Sequence, residues 1–164
     1  MAVCFLGIGS NRGDRRENIE KALAFLRQTQ DTRVIAVSAL IETAPERGCP
    51  PQENFLNGAV KIETELLPLE LLSKLKFIER RLGRVKAEPN GPRPMDLDIL
   101  FYDDVVIAEG KTLTIPHPRL ARRAFVLGPL AEIAADFVHP RLQKTVRELL
   151  NGLSHDANPK LARA

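Results

Sequence analysis

The chain has 164 residues, 44% hydrophobic and 27% charged, which suits one folded domain with a single buried core and leaves too little length for two. A net charge of +3 with a pI near 9.1 leaves room for an anionic ligand and falls short of a surface that coats nucleic acid. No apolar run approaches the roughly 20 residues of a membrane span. Cys4 in an apolar run and Cys49 among prolines make no disulfide framework, so a reducing compartment, the cytoplasm, is expected.

The start has no basic leader, so no signal peptide is expected. Residues 2–8 are almost wholly apolar and read as a strand covered on both faces. Gly7, Gly9, Ser10, Asn11 and Gly13 read as a flexible turn, and Asp14 with Glu17 three residues on reads as a capping box. The helix it opens carries Ile19, Ala22, Leu23 and Leu26 on one stripe. Residues 33–42 form a second strand and 56–64 a third, in which Val60 and Ile62 alternate with Lys61 and Glu63. The stretch 44–52 between them is too rich in Pro and Gly to be regular and forms a long surface loop.

Pro68 opens a second helix with Leu71, Leu75, Ile78 and Leu82 on one stripe and Gly83 at the stop position. Residues 84–94 hold three prolines and a glycine among basic residues and read as a lid. A strand begins at Asp96, Asp103-Asp104 turns it, and a short strand follows at 105–108. Two or three short helices after Pro116 and Pro118 finish the chain, with the tail from about residue 155 expected to fray. Strand, helix, strand, strand, helix, strand is the ferredoxin-like succession. The expected class is therefore α+β, one domain over 1–164: a βαββαβ core, a mainly antiparallel sheet with helices on its faces, and a C-terminal helical extension.

The most informative residues are Asp96 and Asp98. In a strand they leave the same face with Cα atoms about 6.5 to 7 Å apart. Either they sit on a solvated edge, or they hold divalent cations, since buried unpaired carboxylates are costly. Arg93 three residues earlier, with Arg84 and Lys86 at the other end of the loop, brings cationic groups to the same edge and favours magnesium and phosphate chemistry. The Gly7–Gly13 turn lacks the endings of a P-loop and of a dinucleotide fingerprint, so it is read as a strand-to-helix turn. His117, held between Pro116 and Pro118 with Arg119, Arg122 and Arg123 nearby, is either structural or a polyphosphate ligand.

Gly9-Ser10-Asn11, Thr43-Ala44-Pro45, Phe55-Leu56-Asn57, Leu82-Gly83-Arg84-Val85, Gly91-Pro92-Arg93 with Asp96-Leu97-Asp98-Ile99-Leu100, and Ile115-Pro116-His117-Pro118-Arg119 follow one another along the chain. In this order they closely resemble the 6-hydroxymethyl-7,8-dihydropterin pyrophosphokinases, from about residue 3 to about residue 150. The resemblance implies transfer of the β,γ-pyrophosphoryl unit of ATP to the pterin hydroxymethyl group in folate biosynthesis, releasing AMP. It implies that Asp96 and Asp98 hold two magnesium ions and that Arg84 and Arg93 neutralise the transferring group. Glu79, Lys86, Ile99, His117 and Arg123 match ATP contacts. Thr43, Ala44, Pro45, Phe55, Asn57 and Phe125 match the pterin pocket. ATP and the reduced pterin alcohol are then the partners of a monomer that binds neither nucleic acid nor membrane.

The chain departs from many relatives at Asn90, where an aromatic residue commonly precedes Gly-Pro-Arg, from some at Lys76 and Pro118, and at Lys86, where arginine is frequent. Two other functional classes fit a ferredoxin-like sheet with a basic edge: an RNA-binding module, which needs exposed aromatics, and a nucleotide sensor without turnover.

Overall fold

The computed structural model describes residues 1–83 and 91–154. The elements are β1 (Ala2–Ser10), α1 (Arg15–Gln28), β2 (Thr32–Val37), β3 (Ile41–Thr43), β4 (Phe55–Thr64) and α2 (Pro68–Arg81), then β5 (Asp96–Tyr102), β6 (Ile107–Glu109), β7 (Leu113–Ile115), a 3-10 turn (Leu120–Arg122), α3 (Ala124–Ala134) and α4 (Val146–Ser154). The main sheet runs β2-β4-β1-β5 with every neighbour antiparallel, and β3 extends β2's side by pairing with β4. With β2 and β3 counted as one broken strand, this is the interleaved order of the ferredoxin-like core. The fold class matches the sequence reading.

The starts of α1 and α2, and the end of α2, follow from their residues. Asp14 accepts a bond from the Glu17 N–H at 3.0 Å and starts α1. In α2, Pro68 takes the first turn and Glu70 accepts the Leu67 N–H at 2.8 Å; Gly83, at φ +96°, lets the chain leave. α1 and α2 cover one face of the sheet with Ile19, Ala22, Leu26, Leu71, Leu75 and Ile78, against Cys4, Leu6 and Ile8 of β1 and Leu97 and Ile99 of β5. α3 and α4 cover the other face through Leu127, Leu130 and Val146, against Phe5, Ala59, Leu100 and Phe101. Each fully buried aliphatic side chain contributes about 1.5 to 3 kcal/mol relative to exposure.

The structure corrects several sequence expectations. The single strand at 33–42 is two strands, because Ser38 interrupts the ladder. Its N–H donates to the Ala59 carbonyl and its hydroxyl accepts the Ala59 N–H at 2.8 Å, turning the chain out before β3 pairs with the first half of β4. The short strand expected at 105–108 lies at Ile107–Glu109 and pairs with an unforeseen β7 in a separate two-stranded sheet. Gly7 and Gly9 are not in a turn: β1 runs on through Ser10, hydrogen-bonded on both sides. The residues expected to form most of the lid, 84–90, and the tail from 155 lie outside the described residues.

Candidate active site

Strand alternation decides which face carries the chemistry. Leu97 and Ile99 point into the α1/α2 layer, so Asp96 and Asp98 emerge on the opposite face, in line with Leu100. In the register of β1 with β5, Gly7 stands across from Asp98 and Gly9 across from Asp96; on its other side Gly9 stands across from Asn57 of β4. Two alternate positions of the central strand therefore have no side chain on the face where the acids lie. A hollow results, lined by Gly7, Gly9, Asn57, Asp96 and Asp98 among others. A Cβ at Gly9 would collide with the Asn57 Oδ1, so any side chain there must displace that amide.

A cavity of about 300 Å³ opens above this floor. Arg93, Asp96, Asp98, His117 and Arg123 line its charged side; Thr43, Ala44, Phe55, Asn57 and Phe125 line the other. Ten residues chosen from sequence thus share one cavity. Pro45, Glu79 and Ile99 are not among its lining residues, and Arg84, Lys86 and Asn90 lie outside the described residues. Glu46 and Cys49 of the 44–52 loop also line it, although nothing in their sequence context marked them. Gly7 and Gly9 were legible only as glycines two apart, a spacing that in a strand shares one face.

The charges are unevenly satisfied. Asp98 is pushed up to about 7, first by burial, then by the carboxylates of Asp96 and Glu79, with Lys76 and Arg123 only partly offsetting them. Arg93 Nη1 lies 3.3 Å from Asp96 Oδ2. Glu79, 2% exposed, accepts the Leu97 N–H at 2.8 Å and pairs with Lys76 at 3.2 Å. It thereby ties α2 to the backbone between the two acids. Arg123 reaches Glu46 at 2.8 Å and lies 5.4 Å from the Phe125 ring centre, while its buried Nε has no hydrogen-bond partner. His117 is pulled down to about 4 by burial and by the neighbouring Arg123 and Arg119. Its Nδ1 accepts the Arg119 N–H at 3.1 Å, so the neutral ring carries its proton on Nε2.

These features fit a cation and an anion bound together. Two carboxylates on one face with incomplete compensation suit a hard divalent cation, and the orphaned guanidinium nitrogen suits an oxyanion. Among the described residues no group of three or more His, Cys, Asp or Glu could hold a metal ion. A cation at Asp96 and Asp98 must therefore draw its other ligands from substrate and water, which magnesium does readily.

The RNA-binding alternative finds no support. Phe5, Phe101 and Tyr102 of the sheet are buried, and the uncovered part of the α3/α4 face carries Gly7, Gly9, Asp96 and Asp98, so among the described residues the sheet presents no row of exposed aromatics for stacked bases. No described helix is long and apolar enough to cross a membrane.

Comparison with known proteins agrees with the geometry. Residues 5–135 match the family model described as 7,8-dihydro-6-hydroxymethylpterin-pyrophosphokinase. The chain is 41% identical over 148 residues to a 2-amino-4-hydroxy-6-hydroxymethyldihydropteridine pyrophosphokinase of Aquifex aeolicus, covering 90% of each. It is 44% identical over 151 residues to the folic acid synthesis protein fol1 of Schizosaccharomyces pombe, spanning 92% of this chain but only 20% of that longer protein. Its fold superposes with a TM-score of 0.75 on a Plasmodium falciparum HPPK-DHPS crystallised with pterin and p-hydroxybenzoate, at 18% identity, covering 94% of this chain and 43% of that one. The chain belongs to the 7,8-dihydro-6-hydroxymethylpterin-pyrophosphokinase family.

Proposed function

We infer that the chain transfers the pyrophosphoryl unit of ATP to 6-hydroxymethyl-7,8-dihydropterin, yielding AMP and the pterin diphosphate for folate biosynthesis. The observation that carries this reading is the pairing, across two side-chain-free positions of β1, of an acidic edge with an amide-and-aromatic pocket. A triphosphate carried with magnesium suits the first; a flat, polar-edged heterocycle suits the second.

The hydroxymethyl oxygen attacks the β-phosphorus, the bond from that phosphorus to the α-phosphate oxygen breaks, AMP departs with that oxygen, and the hydroxyl proton leaves to water. Phe55 and Phe125 flank the pterin ring, and Asn57, fixed by its 2.6 Å bond to Thr43 Oγ1, meets the ring's polar edge. Thr43 and Ala44 offer backbone groups to the same edge, and Pro45 is assigned to it by sequence resemblance alone. Arg93 and Arg123 offset charge on the transferring phosphates, and His117, neutral, donates from Nε2 to the nucleotide. Glu79 and Ile99 serve the nucleotide through the backbone of β5. Arg84 and Lys86 are assigned to the same charge by sequence resemblance alone.

Asp96 and Asp98 are the residues that would hold magnesium, as two ions. When bound, magnesium neutralises the phosphates, orients the in-line displacement and makes the hydroxyl more acidic. The chain's own contribution is positioning on a rigid strand, worth several powers of ten without any side chain acting as base. The two free cysteines suit a reducing cytoplasm, and we assign the 1–164 chain as one domain acting as a monomer.

The test is AMP release by purified protein with ATP, magnesium and the reduced pterin alcohol. The reading expects AMP and no ADP, and none of either without the pterin. ADP formation, or AMP release independent of the pterin, would sink it.

A further inference from the structure

Asn11 is 1% exposed, lies outside the cavity lining and is engaged on every polar atom of its carboxamide. Its main-chain N–H donates to the Arg93 carbonyl at 3.0 Å, and its Oδ1 accepts the Arg93 N–H at 2.7 Å. One residue thus holds both backbone polar groups of Arg93. Its Nδ2 meanwhile donates to Gln52 Oε1 at 2.6 Å and to the Glu53 carbonyl at 3.1 Å. Four residues further on, Arg15 strengthens the same anchorage with bonds to the Asn54 carbonyl and to Glu42, each 2.9 Å.

The two segments gripped by Asn11 lead to opposite halves of the site. From Arg93 the guanidinium reaches Asp96 on the acidic edge; from Gln52 and Glu53 the chain runs directly into Phe55 and Asn57 on the heterocycle side. Among the described residues no sheet ladder joins these segments: β5 pairs with β1, and the 52–54 stretch precedes β4. Without the Asn11 carboxamide, the Arg93 N–H and the 52–53 segment would lose their common tether.

We propose that Asn11 is a positioning residue for pyrophosphoryl transfer, holding the Arg93 backbone against the 52–53 segment so that the guanidinium stands at the Asp96 edge. This rests on the reading above that Arg93 acts on the transferring phosphates. Misplacement of a reacting group by about 1 Å costs up to about a hundredfold in rate. The expected penalty for Asn11→Ala is therefore a single-turnover rate about ten- to a hundredfold lower, with the fold retained.

The deciding experiment is a double-mutant cycle on single-turnover AMP release at saturating ATP, magnesium and pterin alcohol, with Asn11→Ala, Arg93→Ala and the pair. If Asn11 acts through Arg93, the double variant is no slower than Arg93→Ala within about twofold, whereas independent effects would multiply. A multiplied loss overturns the proposal, because a merely structural asparagine lowers the rate equally in either background. Should thermal melting show Asn11→Ala unfolded, Gln52→Ala removes the bond to Asn11 Nδ2 at the far end of the tether, along with the Gln52 bond to the Pro50 carbonyl. Its smaller loss is expected to vanish beside Arg93→Ala, and persistence there is equally fatal. A wild-type protein that releases no AMP refutes the reaction itself; intact wild-type turnover with multiplied losses refutes only the role of Asn11.

Discussion

The two faces of the main sheet are made by the same strands, yet only one is closed along its whole length. Beneath α1 and α2, β1 contributes Cys4, Leu6 and Ile8 without interruption, and β5 answers with Leu97 and Ile99. On the α3/α4 side, β1 contributes Phe5 and then Gly7 and Gly9, while β5 contributes Leu100 and then Asp98 and Asp96. A bulge at Phe5/Leu6 separates the two regimes on this side, bringing Phe101 onto the same face as Leu100 and closing that end with an aromatic cluster of Phe5, Phe101 and Phe137. The site therefore needs no special backbone. It arises where one strand omits side chains and its neighbour places acids across the gap, on a sheet whose rigidity comes from the other face.

The sharpest way to break this comparison is to remove an acid from the open face. Asp98→Ala is expected to lower turnover at least about a thousandfold, roughly 4 kcal/mol of barrier, measured as AMP release at saturating magnesium. Its metal-free thermal midpoint should not fall and should rise, because burial and the Asp96 and Glu79 charges already oppose the Asp98 carboxylate. On the closed face the pattern inverts. Leu6→Ala, at a position with 0% exposure, should cost about 2 to 5 kcal/mol in denaturant unfolding while leaving turnover per folded molecule intact. If Leu6→Ala altered the chemical step as strongly as it altered stability, the division between faces would fail.

A smaller effect probes the gap between acids and amide. Gly9→Ala puts a methyl group against the Asn57 carboxamide, and the KM for the pterin is expected to rise about tenfold, near 1.4 kcal/mol, with nucleotide affinity unchanged. Equal weakening of both substrates would show that the hollow does not belong to the pterin side. The smallest effect concerns the closed end of the α3/α4 face. His139 is 5% exposed, its ring edge meets Phe101, and its Nδ1 accepts the N–H groups of Arg141 and Leu142 at 3.1 Å each. Burial and Arg141 lower its pKa, so the unfolded chain takes up a proton before the folded one does. Its contribution is complete above the ordinary histidine value of 6.5 and declines as the pH falls below it. Thermal melts at pH 7.5 and 5.5 should show this decline, with a shallower slope in His139→Gln.

Much of this contrast is legible in the sequence because it is written in period-2 patterns. Asp96-Leu97-Asp98-Ile99 announces a two-faced strand, and the α1 and α2 stripes announce what covers one of its faces. The glycines of β1 mislead for a physical reason: Gly7 and Gly9 look like turn residues because their conformational freedom is the commoner reason for glycine, whereas here the missing Cβ is what matters. Glu79 is equally opaque. Its helical position gives no hint that its carboxylate is buried against the Leu97 N–H, since that contact depends on how α2 lies along the edge of β5. Asn11 reads as a turn former, and only the spatial meeting of three distant segments reveals what its amide holds.

The most direct measurement is anomalous scattering from crystals grown with manganese in place of magnesium, a non-hydrolysable ATP analogue and the pterin alcohol. Two peaks about 3.5 to 4 Å apart, each touching a carboxylate oxygen of Asp96 or Asp98, are expected between the phosphates and the pterin hydroxyl. Occupied nucleotide and pterin with no metal peak at either aspartate would contradict the account.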